Sequence, residues 1–460
     1  MPTVNRRIFA AAVTVGAMNG IVMVVAVLRD LIFAYRFGTG EIVDAFLMGL
    51  LVPMMAVQVV GTSLGLAIVP EVVRLHGHSD RAEADSLSSS TAMIGLVLLL
   101  LVSAILLLLH HPTMALLTAG FDVERTRLTS FFFFGFLPCI VVQGWSTFLG
   151  GLLNATNRFA IVALAPMFRS FALCVVLAVD WGAASAEVLL AGYLAGVIAE
   201  AGVVIVAAAR ANLSFRPRWG GLTEPLRRVL REFAMVVVGS GILSVAILAD
   251  QYFASFAGPG GVAAYGYGAK IISVLIGAGA LPLAVAVLPH FAVQVRERQW
   301  TQLRSVLVHW SWIALALSLP AAALLWFYSY DLVRLTFQRG AFSAEDSRLV
   351  AAIQMYLALQ LPFYLCGILY VRVLISLQRN GLVAFIALTN AVTNIGGSLV
   401  LLGPLGVAGI ALAASAGYVI ATILSGMFAF LLLHRNRWRS EMISAGTAAR
   451  LDAGSPSDIM

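Results

Sequence analysis

Charged residues are scarce in this sequence. Of its 460 residues only 11% are Asp, Glu, Lys or Arg, whereas 61% are apolar and the mean hydropathy is +0.95. Soluble globular proteins carry about 25% charged residues, so this composition excludes a soluble domain and indicates a membrane protein with many spans. The net charge of +7 comes from arginines in short loops, which attract lipid headgroups, and it does not predict nucleic-acid binding.

Lysine and cysteine are also rare. Lys270 is the only lysine beside twenty-eight arginines, and its place within an apolar stretch favours a functional role for its charge. The cysteines, Cys139, Cys174 and Cys366, lie in separate apolar stretches without the CxxC spacing of metal or redox pairs. We therefore expect them to be small buried hydrophobic side chains.

Long apolar runs are what the sequence has in abundance. A hydrocarbon core of ~30 Å takes about 20 helical residues to cross, and twelve runs reach that length, at residues 10–34, 43–69, 89–109, 131–153, 159–179, 186–208, 233–256, 263–289, 306–328, 349–374, 382–402 and 405–433. With the N-terminus inside, nineteen arginines fall in inside loops and tails and six in outside loops. Because Lys and Arg concentrate in cytoplasmic loops, we predict an all-α polytopic membrane protein with both termini in the cytoplasm.

The two halves of the chain repeat one another. A shift of 220 positions lays Val25–Gly40 on Val245–Gly260 and places Asp30 on Asp250. Because each half has an even number of spans, the halves should run parallel around a central cavity, as in parallel-repeat transporters. The predicted parts are a six-span N-lobe, a basic cytoplasmic linker, a six-span C-lobe and a polar cytoplasmic tail, at residues 1–208, 209–232, 233–434 and 435–460.

Three charged residues mark the edges of the first two spans. Arg29, Asp30 and Asp44 each need a partner or a water-filled path, since a charge at mid-bilayer costs about 3 kcal/mol. Neighbours on a helix are about 100° apart, so we expect Arg29 and Asp30 to have separate partners and not to pair with each other. Asp44 follows the FGTG turn, where it either stabilises a helix N-terminus or orients Arg29.

The later spans hold further polar residues. Arg169 and Glu200 are expected to pair with each other or to reach the interface. Asn390 and Asn394 share one helix face and could, with Asp250, supply oxygen ligands to a hard cation such as Na⁺, or they could bond helix to helix. Solvated charge is expected for the acidic residues of the cytoplasmic loops, Glu71, Asp80, Glu83 and Asp85. They form no catalytic cluster, and we predict that the protein is not an enzyme.

Three stretches resemble the MurJ/MviN family of lipid II flippases, within the multidrug/oligosaccharidyl-lipid/polysaccharide exporter superfamily: LRDLIFAYRFGTGEIVDAF at 28–46, AIVPEVVRLHG at 67–77 and RGAFSAEDSRL at 339–349. The resemblance extends over about residues 8–434. It implies two six-helix lobes in the bacterial inner membrane, around a cationic cavity that opens alternately to the two sides. The implied substrate is an undecaprenyl-pyrophosphate-linked glycan, lipid II by family default. The family's two further C-terminal helices have no predicted counterpart, which suggests a divergent member.

The resemblance also implies roles for particular residues. It makes Arg29 a cavity arginine, Asp44 its acidic companion and Lys270 the counterpart of an arginine on the eighth helix. Some family members hold Na⁺, and by the resemblance that site falls on Asp250, Asn390 and Asn394. Coupling to Na⁺ or protons is therefore expected. The predicted substrate-binding residues are Arg29, Asp30, Asp44, Lys270 and Arg372.

Departures from the family pattern leave alternatives open. Met23 stands where the family usually has an arginine, and Ala269 and Ser273 stand where it has acidic residues. These changes remove charge of both signs from the implied cavity. The second functional hypothesis is therefore a Wzx-like exporter of O-antigen or exopolysaccharide repeat units. A cation-coupled multidrug antiporter is the third, and the retained Arg29 and Lys270 count against it. Membrane lipids and proteins of cell-wall or polysaccharide synthesis are the expected partners.

Overall fold

The computed structural model describes residues 2–77, 81–179 and 185–453, and these ranges are helical apart from short turns and the non-helical linker at 211–223, with no strand. Asp80 and the final residues of the predicted tail, 454–460, lie outside these ranges. The helices are α1 (Pro2–Phe37), α2 (Glu41–Ala56), α3 (Ser63–Gly77), α4 (Arg81–Leu108), α5 (His110–Leu117), α6 (Val123–Ala155), α7 (Phe159–Val179), α8 (Ala186–Arg210), α9 (Glu224–Ser255), α10 (Gly261–Arg296), α11 (Trp300–Phe337), α12 (Ala344–Ala358), α13 (Gln360–Ser376), α14 (Asn380–Leu405) and α15 (Val407–Ala453).

Ten helical segments within the described ranges are long and apolar enough to cross a membrane. Two of them join consecutive helices, since α2 and α3 form one rod and α12 and α13 form another. The predicted seventh and eighth spans correspond to α9 and α10, which are not among these ten segments. The first part of α10, Gly261–Gly277, is a shorter apolar helix. The prediction of an all-α polytopic membrane protein is confirmed.

The helices form two compact units. The first comprises Met1–Ala263 together with Leu335–Ser347, and the second comprises Ala264–Arg334 together with the chain from Arg348 onward. Helix α9, which opens the predicted C-lobe, packs against α3 in the first unit. The short stretch from Leu335 to Ser347 likewise belongs to the first unit, where it meets the turn that follows α1.

Aromatic rings form a core between α2, α6 and α8 in the first unit. The ring of Phe46 lies 5.5 Å from that of Phe132, 5.4 Å from that of Phe136 and 5.7 Å from that of Tyr193, all edge to face. Phe132 and Phe136 are four residues apart and therefore share one face of α6. This cluster holds α2 in place next to the charged residues described below.

A π-helical turn, Val57–Thr62, joins α2 to α3. Here the rod packs very closely on α6, because a Cβ added to Gly61 would lie 2.7 Å from the Cα of Gly144. Small residues allow such backbone approach between membrane helices. The sequence did not predict this turn, which lies inside the predicted span at 43–69.

The second unit has its own core, built from α10, α11, α13, α14 and α15. Its members are Val287, Phe291, Leu303, Leu307, Ala314, Cys366, Leu369, Val373, Leu374, Ile386, Ala429 and Leu433. Cys366 is buried here, and Cys139 and Cys174 are buried in the first unit. The prediction that the cysteines are buried hydrophobic side chains is confirmed.

Candidate functional site

Arg29 and Asp30 form an ion pair on α1, contrary to the sequence prediction. The Nε and Nη2 atoms of Arg29 donate to Oδ1 of Asp30 at 3.0 Å and 2.7 Å, and Nη1 donates to the hydroxyl of Ser170 on α7 at 3.4 Å. The prediction was wrong because the arginine side chain is long enough to fold back over its neighbour. The Arg29 side chain stays 24% exposed.

A second ion pair lies between α7 and α8. Nε of Arg169 stands 3.3 Å from Oε2 of Glu200, and the two side chains are only 22% and 12% exposed. The expectation that these residues pair is confirmed. Arg169 directly precedes Ser170, so the two ion pairs are anchored at neighbouring positions of α7.

Asp44 is completely buried and bonds to backbone amides that come much later in the chain. Its Oδ2 accepts a hydrogen bond from the N–H of Gly260 at 2.7 Å, and its Oδ1 accepts one from the N–H of Ala263 at 2.8 Å. These amides lie at the start of α10, where unpaired N–H groups favour an anion. Asp44 therefore stabilises a helix N-terminus, as one reading of the sequence expected, but the helix is α10 and not α2.

Arg125 supplies the positive charge next to Asp44. Its Nη1 lies 3.9 Å from Oδ2 of Asp44, its Nε donates to Asp122 at 2.9 Å, and its guanidinium stands 4.6 Å from the centre of the Phe121 ring. The side chain is only 5% exposed. Arg125 is one of the six arginines predicted to lie in outside loops, and the sequence did not predict this role. The sequence did hold one indication of the position of Arg125. Asp122 is an N-cap, and an N-cap carboxylate accepts a hydrogen bond from the backbone N–H three positions later, which is that of Arg125.

The turn between α1 and α2 completes this cluster. Gly38 has φ +59°, and a Cβ there would lie 2.6 Å from the carbonyl oxygen of Ala341, so glycine is required. The N–H of Ala341 donates to the carbonyl of Tyr35 at 2.8 Å, and the hydroxyl of Thr39 donates to Asp346. The FGTG and RGAFSAED stretches are thus packed against each other. We call the set Thr39, Asp44, Arg125, Gly260, Ala263 and Asp346 the Asp44 cluster.

Glu71 lies at the other end of the α2–α3 rod. The prediction that it is a solvated loop charge is wrong, because it lies within α3 and is 8% exposed. Arg74 binds it at 2.6 Å, and Arg228 of α9 approaches it at 3.7 Å. Midway along, the hydroxyls of Ser63 and Ser240 are 3.2 Å apart. The rod is therefore bonded to α9 at two levels.

The remaining predicted site residues are distributed over four helices. Asp250 is on α9 in the first unit, and Lys270 and Arg372 are partly buried on α10 and α13. On α14, Asn394 is buried and accepts a bond from Ser398 at 3.4 Å, while Asn390 lines a cavity of ≈ 240 Å³ with Tyr364, Tyr418 and other residues. Among the described residues, no group of three or more His, Cys, Asp or Glu side chains is placed to hold a metal ion. The roles of these residues stay predictions.

Comparison with known proteins decides the family. A family model described as "Lipid II flippase MurJ" matches residues 33–445. The chain belongs to the lipid II flippase MurJ family. It is 27% identical over 423 residues to "Probable lipid II flippase MurJ" of Rhizobium meliloti (strain 1021), which covers 89% of this chain and 78% of that protein.

Solved structures agree on the fold. "Lipid II flippase MurJ, inward closed conformation" superposes with a TM-score of 0.77 at 18% identity, over 92% of this chain and 90% of that one. "Inward-facing conformation of a multidrug resistance MATE family transporter of the MOP superfamily" also gives 0.77, at 16% identity, over 90% and 95%. The MurJ-family match includes the whole Asp44 cluster and begins shortly after Asp30. The resemblance inferred from sequence is confirmed.

Proposed function

We propose that this chain is an alternating-access flippase that moves lipid II, an undecaprenyl-pyrophosphate-linked glycan, across the bacterial inner membrane. The observation that carries the proposal is the match to the lipid II flippase MurJ family over residues 33–445. The apolar helices supply the membrane spans that such a carrier needs. In this proposal the N- and C-termini face the cytoplasm, where arginine-rich loops concentrate.

Arg29 is proposed to bind the substrate pyrophosphate. Its ion pair with Asp30 and its bond to Ser170 fix the orientation of the guanidinium, and the side chain stays 24% exposed, which supports recognition of a phosphate. Lys270 and Arg372 stay substrate-binding residues on the ground of the sequence alone. Each would supply charge-assisted hydrogen bonds that neutral cavity walls lack.

The Asp44 cluster is proposed to hold α2 against the 260–263 segment within the first unit. Asp44 joins α2 to the start of α10 through two charged hydrogen bonds, and Arg125 balances its charge. These bonds must break before α2 and the 260–263 segment can separate. A conformational change needs a ligand with different affinity for the two states, and substrate binding at Arg29 is proposed to supply that difference.

Coupling to Na⁺ or protons is proposed to reset the empty carrier. The sequence alone names Asp250, Asn390 and Asn394 as candidate ligands, because carboxylate and amide oxygens suit a hard cation. In a reconstituted system, Asp250→Asn should slow resetting yet spare single-turnover lipid binding, whereas Arg29→Ala should do the reverse. Identical defects of both variants in both assays would contradict this division of roles.

A Wzx-like exporter of other lipid-linked glycans is the alternative, and it is favoured by the loss of cavity charge at Met23, Ala269 and Ser273. A multidrug antiporter is the weaker alternative. The superposition of this chain on a multidrug resistance MATE family transporter gives the same TM-score, 0.77, as that on the flippase structure, and both show the fold alone. Proteins of cell-wall synthesis are proposed partners.

Replacement of an essential lipid II flippase tests the proposal. Cells depleted of that flippase should grow when they carry this chain, and should fail with Arg29→Ala at equal protein level. Arg127→Ala is the matched control, because the Arg127 side chain is 77% exposed. Failure of the unaltered chain to support growth, together with export of another lipid-linked glycan, would assign it to the alternative function.

A further inference from the structure

A basic cleft lies in the second unit, between the first turns of α11 and the last membrane turns of α15. Its volume is ≈ 420 Å³. Three basic side chains line it, Arg304 from α11 and His434 and Arg437 from α15. The remaining walls are apolar and consist of Trp300, Met427, Phe430, Leu431 and Leu433.

The charges of this cleft all favour an anion. None of its lining residues is acidic. Trp300 is the first residue of α11, so the positive end of the helix dipole also faces this region. The indole nitrogen of Trp300 is shielded from solvent and has no hydrogen-bond partner among the described residues. A buried N–H donor without a partner is costly.

The cleft lies at the ends of two apolar segments that are long enough to cross a membrane. One membrane segment begins at Trp300 and another ends at Trp438, which is 57% exposed. Tryptophan is enriched at membrane–water interfaces, where its ring lies among headgroups and its N–H can bond to them. Met427 and Leu431 are 45% and 58% exposed, so the apolar wall is open to its surroundings.

We propose that this cleft binds an anionic phospholipid of the surrounding leaflet, which goes beyond the transport function. The phosphate accepts hydrogen bonds from Arg304, Arg437 and His434, since basic pockets between membrane helices bind anionic headgroups. The glycerol and first acyl carbons lie against Met427 and Leu431. A free phosphate ion would share the basic groups but would leave this apolar wall uncovered.

Lipid retention by the purified full-length protein tests the proposal. In native mass spectrometry, the protein should bind dioleoylphosphatidylglycerol in preference to dioleoylphosphatidylcholine. Removal of two interfacial charges weakens binding by about 30-fold, so the double variant Arg304→Gln, Arg437→Gln should lose the preference. The control is Arg435→Gln, an exposed arginine of α15 outside the cleft. An equal loss in the control would overturn the proposal.

A second variant keeps the charges and removes part of the apolar wall. Met427→Ser is expected to weaken phosphatidylglycerol binding about fivefold, because the acyl chain loses apolar contact area, and the exposure of Met427 makes misfolding an unsuitable explanation. Inorganic phosphate, added at millimolar concentration, should not displace the lipid. Binding of inorganic phosphate with no preference for phosphatidylglycerol would identify a free-anion site and would also overturn the proposal.

Discussion

The substitution Asp44→Asn tests what closes one end of the first unit. Asp44 accepts hydrogen bonds from the amides of Gly260 and Ala263 at 2.7 Å and 2.8 Å, and it is fully buried. Asparagine has the same shape, but it has one acceptor oxygen and no charge. Its NH₂ group would face one of the two N–H donors, so only one bond can form, and that bond is between neutral groups.

The size of the effect follows from these bonds. A hydrogen bond to a charged group contributes about 1.5–3 kcal/mol and a neutral one about 1 kcal/mol. Exchanging two charged bonds for one neutral bond should therefore weaken the closure by at least about 2 kcal/mol, which is roughly 30-fold in the opening equilibrium. Arg125 keeps its bond to Asp122 at 2.9 Å, so the variant should still fold.

Hydrogen–deuterium exchange reports this opening directly. The amides of Gly260 and Ala263 donate to Asp44, so their exchange rate measures how often these bonds break. We expect peptides that cover 259–264 to exchange roughly 30-fold faster in Asp44→Asn. Glu41→Gln, an exposed acid on the same helix turn, is the control and should have no effect. Unchanged exchange of these amides in Asp44→Asn would refute the closure.

Three further substitutions address other parts of the chain. Gly38→Ala should destabilise the protein by about 1–3 kcal/mol, because alanine is strained at a positive φ, and a lower thermal midpoint would report it. Glu200→Gln should cost about 3 kcal/mol by leaving the poorly exposed Arg169 without its ion pair, whereas Glu187→Gln on the exposed face of α8 should leave the midpoint unchanged. Lys270→Ala should abolish glycan export at normal protein levels, and persistent export would make this lysine structural.

Local patterns were sufficient for the class of protein and for most helices. Hydropathy is a property of consecutive residues, so twelve spans could be predicted without knowledge of any contact, and α7 has the bounds that the sequence predicted. Other helices extend beyond the predicted spans, as at α15, because polar residues at helix ends continue the helix outside the apolar run. The FGTG and RGAFSAED stretches pointed to the family, and the comparison confirmed it.

The sequence by itself determined a helical membrane protein of the MurJ family, because apolar runs and short motifs are written in neighbouring residues. Only the tertiary structure decided what the charged residues do. Asp44 bonds to amides 216 and 219 positions away, a distance at which no periodicity carries information. Arg29 folds back onto Asp30, since side-chain length and the position of Ser170, rather than helix angle, determine its partner. Charges in a low-dielectric environment take whichever partner packing brings near, and packing is a property of the whole fold.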